Sequence, residues 1–110
     1  VETLLQEPAL FNSYIALDPS LWWNHGTLLA GAARQLPAVT RTRPQVFLAS
    51  SGQPELAAST ARLAALLQQA SPSPLVKYLP LPEETHATIY HPAALQALRT
   101  LFPAPAPASP

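Results

Sequence analysis

Three short runs of strand-forming residues, SYIAL at 13–17, QVFLA at 45–49 and LVKYL at 75–79, recur about every thirty residues along the chain. Antiparallel neighbours can be joined by a tight hairpin, whereas parallel neighbours need a crossover of about a dozen residues or more, usually a helix. Helical periodicity fills both intervals. The order therefore reads as successive βα units feeding a three-stranded parallel sheet, an α/β fold. The first two runs are almost wholly apolar, as strands covered on both faces are, while Lys77 in the third points to a place near the sheet edge.

The first crossover predicts a helix over 24–36, with Leu28, Leu29, Ala32, Ala33 and Leu36 on one stripe and Pro37 closing it. A second runs from Pro54, a residue suited to the first helical position, to Gln69, with Leu56, Thr60, Leu63 and Leu67 aligned. A third starts at Pro92 and carries Leu95, Leu98, Leu101 and Phe102 on its expected inner face. The opening VETLLQEP reads as the last turns of a helix ended by Pro8, so upstream sequence is expected. At the other end, PAPAPASP at 103–110 reads as an extended tail unable to bury a core.

A chain of 110 residues fits one domain at most. Charged residues make up 11% of it, scattered without runs and summing to a formal charge of zero, so no electrostatic footprint for nucleic acid or an anionic membrane is present. No apolar run is long enough to span a bilayer. With no cysteine there are no disulfides or thiolate metal sites, and no compartment follows from redox chemistry. Gly26, Gly31 and Gly52 form no phosphate-cradling loop, so no nucleotide or other cofactor is expected.

In parallel α/β sheets, ligands and catalytic groups gather beyond the carboxyl ends of the strands. The loops DPSLWWNHG at 18–26, SSGQPE at 50–55 and PLPEETH at 80–86 all follow strands, which puts Asp18, Glu55 and His86 on one rim. Histidine suits proton transfer near neutral pH, and a carboxylate beside it can fix its tautomer and stabilise its charged form. Ser20, Ser50, Ser51 and Thr85 supply hydroxyls on that rim, but none lies in a Gly-x-Ser-x-Gly elbow. Trp22 and Trp23 are adjacent after a strand, so one can seal the core while the other lines a cleft. His25 and His91 read as local polar groups. His86 and His91, five apart, suit neither a helix face nor a strand face, and no metal site is expected.

The succession LFNSYIALDPSLWWN at 10–24, SSGQPEL at 50–56 and LPEETHATIYHPAALQALRTLF at 81–102 resembles the carboxy-terminal half of the putative-esterase branch of the α/β-hydrolases, which includes bacterial siderophore (enterobactin-type) esterases. The resemblance covers nearly all of residues 1–102, leaving 103–110 as a Pro/Ala-rich tail. It implies that His86 is the catalytic histidine of a serine esterase, acting on a serine that lies upstream in an elbow. The family often has glycine after this histidine, where Ala87 stands here, and serine is common where Asp18 ends the first strand. The acid is then Asp18, Glu55 or neither; the usual hydrolase position, after the penultimate strand, favours Glu55.

What the resemblance implies is an inactive-alone segment of an ester hydrolase that acts on a small-molecule ester, supplying the histidine, an acid and part of the substrate wall that includes Trp22 and Trp23. It implies an ester hydrolase more directly than a siderophore substrate. The rival expectation is a non-catalytic binding or assembly module. Either way, a half-sheet leaves a strand edge unpaired, to be met by an amino-terminal companion segment or by a second copy of the chain.

Overall fold

The computed structural model describes residues 1–21, 26–70 and 75–105. Trp22, Trp23 and His25 lie outside the described residues. The elements follow in the order α1 (Glu2–Gln6), β1 (Ser13–Leu17), α2 (Thr27–Ala30), α3 (Ala32–Thr42), β2 (Gln45–Ser50), α4 (Pro54–Gln69), β3 (Leu75–Pro80) and α5 (Tyr90–Leu101). All three strands are parallel in the order β1-β2-β3, with Ser13 opposite Gln45 and Gln45 opposite Leu75. The fold is α/β, as the strand rhythm predicts.

Because alternate residues of a strand face opposite ways, β2 feeds two cores. Val46 and Leu48 join Leu4, Leu5, Val39, Leu63 and Leu67 on one side of the sheet. Phe47 and Ala49 join Ile89, Ala93 and Ala97 on the other. The central strand is thus covered on both faces, with all but Gln45 buried. Each leucine removed from water stabilises the fold by about 1.5–3 kcal/mol relative to exposure, before the cost of ordering is counted. β3 is an edge strand with Lys77 exposed, as its charge suggests. β1 is the other edge, and its full coverage is not seen: the strand is half-buried and Ile15 is exposed.

Two helices depart from expectation. Pro37 does not close the first crossover helix but lies inside α3. An interior proline removes a backbone bond and crowds the preceding turn, at a cost of about 3 kcal/mol. Burial offsets this, since Val39 is fully buried beyond it and Leu36 packs on the same cluster. The Thr40 hydroxyl also donates to the Pro37 carbonyl at 2.9 Å. The break falls instead at Gly31, between α2 and α3; glycine is poorer in a helix than alanine by about 1 kcal/mol.

The inner face of α5 is formed by Ala93 and Ala97 rather than by Leu95, Leu98 and Phe102, all of which are exposed. Small residues let the helix approach the sheet where Phe47 already fills the space. Leu101 packs at the margin of that core. The helix begins at Tyr90, two residues before Pro92.

Candidate functional site

Parallel strands bring the three loops to one rim. Asp18 follows the last residue of β1, and its amide still donates to the Ala49 carbonyl at 2.7 Å, so the ladder holds it in register with β2. Its φ is 52°, a left-handed conformation that aspartate tolerates better than most residues. The side chain is buried. Ser51 follows β2 directly, and its amide and hydroxyl donate to Asp18 Oδ1 and Oδ2 at 2.8 and 2.7 Å.

His86 reaches the same carboxylate from the loop after β3, with Nδ1 2.8 Å from Asp18 Oδ2. Its backbone sits in a turn closed by the Ile89 amide donating to the Thr85 carbonyl at 3.0 Å. The Thr85 amide donates to the Thr88 hydroxyl, and the Thr88 amide to the Thr85 hydroxyl. Ile89, almost fully buried, anchors that turn in the core. The imidazole is held at one end while its side chain remains 56% exposed.

Electrostatics fixes the proton positions. Burial pushes the Asp18 carboxyl up, but the Ser51 amide and hydroxyl and the His86 bond and charge together outweigh it and hold the group below its ordinary value. An ionised carboxylate only accepts hydrogen bonds, so Nδ1 of His86 must donate. In the neutral ring Nε2 is then left with its lone pair, the state a general base needs.

His86 lines a cleft of about 560 Å³ with Ser20, Gln53, Pro54, Glu55 and Leu56. Glu55 stands in the first turn of α4, exposed, where the helix dipole favours a negative charge. Among the described residues, the ion pair to His86 comes from Asp18, and none joins His86 to Glu55. The rim hydroxyls divide: Ser51 donates to Asp18, Ser50 pairs with Tyr78 at 2.9 Å, Thr85 meets Thr88, and Ser20 lines the cleft. None hydrogen-bonds His86 among the described residues. His91 lies in α5 with its ring edge-on to Tyr90, and no hydrogen bond joins it to His86 among the described residues. No group of three or more His, Asp or Glu among the described residues is arranged to hold a metal ion.

Asp18 was legible as a rim residue, but its role as the histidine's partner depends on which loop turns inward. Ser51 and Gly52 carried a weaker signal, a small polar residue and a glycine directly after the central strand. A Cβ on Gly52 would overlap the Pro82 carbonyl, and its amide donates to the Glu84 carbonyl at 2.9 Å.

Fold and site together define a parallel α/β segment with a histidine–carboxylate pair beyond its strand ends. No family model matches the chain, and no curated protein matches it. Its fold is similar to that of the BES protein from Bacillus cereus in its crystal structure, with a TM-score of 0.75 and 22% identity over 89% of this chain and 38% of that one. The likeness is one of fold, and the chain spans 38% of that protein's length.

Proposed function

We propose that this chain is the carboxy-terminal segment of a serine ester hydrolase of the α/β-hydrolase superfamily, with His86 as general base and Asp18 as the acid that orients it. The observation that carries the reading is the bond from His86 Nδ1 to the buried Asp18 carboxylate at the carboxyl ends of parallel strands. In this mechanism Nε2 of His86 takes the proton of a serine supplied from outside residues 1–110, as that oxygen attacks the ester carbonyl. The imidazolium, steadied by Asp18, then gives the proton to the leaving alcohol. The oxyanion donors come with the serine. Glu55, exposed in the cleft, contributes to the substrate wall rather than to the triad, and Trp22 and Trp23, which follow Asp18 in sequence, are further candidates for that wall. A siderophore ester is one substrate within this reading.

The partner in this reading is an amino-terminal segment that bears the serine and pairs with the free edge of β1. That edge carries no charged side chain, unlike β3, and an apolar groove formed by Ile15, Leu17, Tyr90, Ala94 and Leu98 flanks it. The same surface favours a second reading, a non-catalytic assembly module in which two copies meet through β1. A fluorophosphonate probe, which labels activated serines, separates the two. Applied to the polypeptide as its gene encodes it, the probe should label a serine outside residues 1–110, with labelling abolished by His86→Ala. Sedimentation of an unlabelled chain as a dimer that Ile15→Lys dissociates would favour the assembly module.

A further inference from the structure

We infer that Ser51 and Gly52 are the positioning element of the histidine–carboxylate pair: Ser51 holds the Asp18 carboxylate, and Gly52 seats the loop that carries His86 against it. The catalytic meaning of this arrangement rests on the hydrolase reading, whereas the positioning itself is a property of the folded chain.

Ser51 is 2% exposed, and its amide and hydroxyl are both committed. The amide fixes Asp18 Oδ1 and the hydroxyl fixes Oδ2, so the carboxylate is held at both oxygens. The Ser51 oxygen in turn accepts the Gln53 amide at 3.3 Å, which orients the hydroxyl proton toward Asp18. That commitment takes Ser51 out of the set of candidate nucleophiles and gives it another task. Two donors, Ser51 Oγ and His86 Nδ1, converge on Oδ2. Without the hydroxyl, Oδ2 would lose one of its two donors among the described residues, leaving the carboxylate held by the Ser51 amide at Oδ1 and by His86 at Oδ2.

Gly52 performs the complementary part. Its amide binds the Glu84 carbonyl two residues before His86, and the space a side chain would occupy is filled by the Pro82 carbonyl. The β2–α4 turn therefore grips the end of β1 through one residue and the β3–α5 loop through the next. These two residues join the halves of a pair separated by 68 positions in sequence. Asp18 adopts its left-handed backbone at this junction, a strained conformation that persists where surrounding bonds over-determine it.

The test is nuclear magnetic resonance of the full chain, following the Asp18 carboxyl carbon through an acid titration and the His86 ring nitrogens for the tautomer. Ser51→Ala is expected to raise the Asp18 titration midpoint and to reduce the share of the Nδ1–H tautomer. Ser51→Cys, close in shape but a weak donor, should shift both in the same direction, which separates the lost hydrogen bond from a lost volume. Gly52→Ala should speed exchange of its own amide and shift the His86 ring signals. A folded Ser51→Ala or Ser51→Cys chain with both readouts unchanged would overturn the proposal. So would unfolding of both variants, which would make Ser51 a packing residue. Neither readout requires ester hydrolysis, so an inactive parent with the expected shifts would sink the hydrolase reading and leave the positioning element standing.

Discussion

Nδ1 of His86 lies 2.8 Å from Oδ2 of Asp18, and the buried carboxylate leaves that nitrogen only the role of donor. The His86 side chain is 56% exposed, and with Nδ1 donating, the neutral ring keeps its lone pair on Nε2. Both residues belong to loops that follow strands, and the parallel ladder from β1 through β2 to β3 sets the distance between those loops.

Under the proposed mechanism, the His86–Asp18 pair assigns the role of the acid to Asp18 rather than Glu55. In the polypeptide that carries both this segment and the serine, Asp18→Asn should reduce kcat by about 10³–10⁴-fold, because an amide can favour the wrong imidazole tautomer. Glu55→Gln should change kcat by less than about tenfold, its side chain making no bond to His86. Steady-state kinetics on the two variants decides the matter, and the reverse order of effects would return the acid to Glu55.

Acid stability follows from the depressed Asp18 pKa. Burial opposes ionisation, but the bonds from Ser51 and His86 more than compensate, so the folded-state value is lower than the unfolded one. The unfolded chain then binds this proton more readily. The stability contributed by Asp18 is fully present above the unfolded value of about 3.9 and is lost as pH falls through the folded value. Urea unfolding of the wild type should show this loss as pH drops below about 4, and Asp18→Asn should remove that component of the slope.

The register of α5 makes a contrast between adjacent residues. Ala97 is fully buried against the sheet and Leu98 is 51% exposed. Ala97→Leu should destabilise the chain by about 1–3 kcal/mol through overpacking. Leu98→Ala should fall within about 0.5 kcal/mol of wild type, as exposed substitutions do. Chemical denaturation of both variants checks the assignment; a large loss at Leu98 with tolerance at Ala97 would restore the leucine face predicted from the pattern.

The strands were legible because their apolar runs are bounded by turn residues and separated by crossover-length helices. Lys77 placed β3 at an edge for the reason that charge protects edges generally. The helix faces were harder to read. The leucine stripe at Leu95, Leu98, Leu101 and Phe102 has the right period, yet two alanines permit the closer approach that Phe47 demands. Pro37 ended a helix by local rule, and Val39 continued it through packing that only the folded core supplies.

At the site, the rim and His86 followed from topology and from the family resemblance. The bond from His86 to Asp18 rather than to Glu55 did not, because the usual hydrolase position for an acid lies after β2. In the structure, Pro54 opens α4 and carries Glu55 into its first turn, while the left-handed turn at Asp18 brings that carboxylate to Ser51 and His86. Ser51 and Gly52 act through contacts 33 positions from Asp18 and across the β3–α5 loop, a relation that local sequence pattern does not carry.

The most direct test is the rate at which the complete polypeptide, with the segment that bears the serine, hydrolyses an activated ester such as p-nitrophenyl acetate, compared with its His86→Ala variant. The account predicts a loss of about 10²–10⁴-fold in the variant with the fold intact, the usual contribution of a general base. An unchanged rate would show that His86 is not that base and would contradict the account.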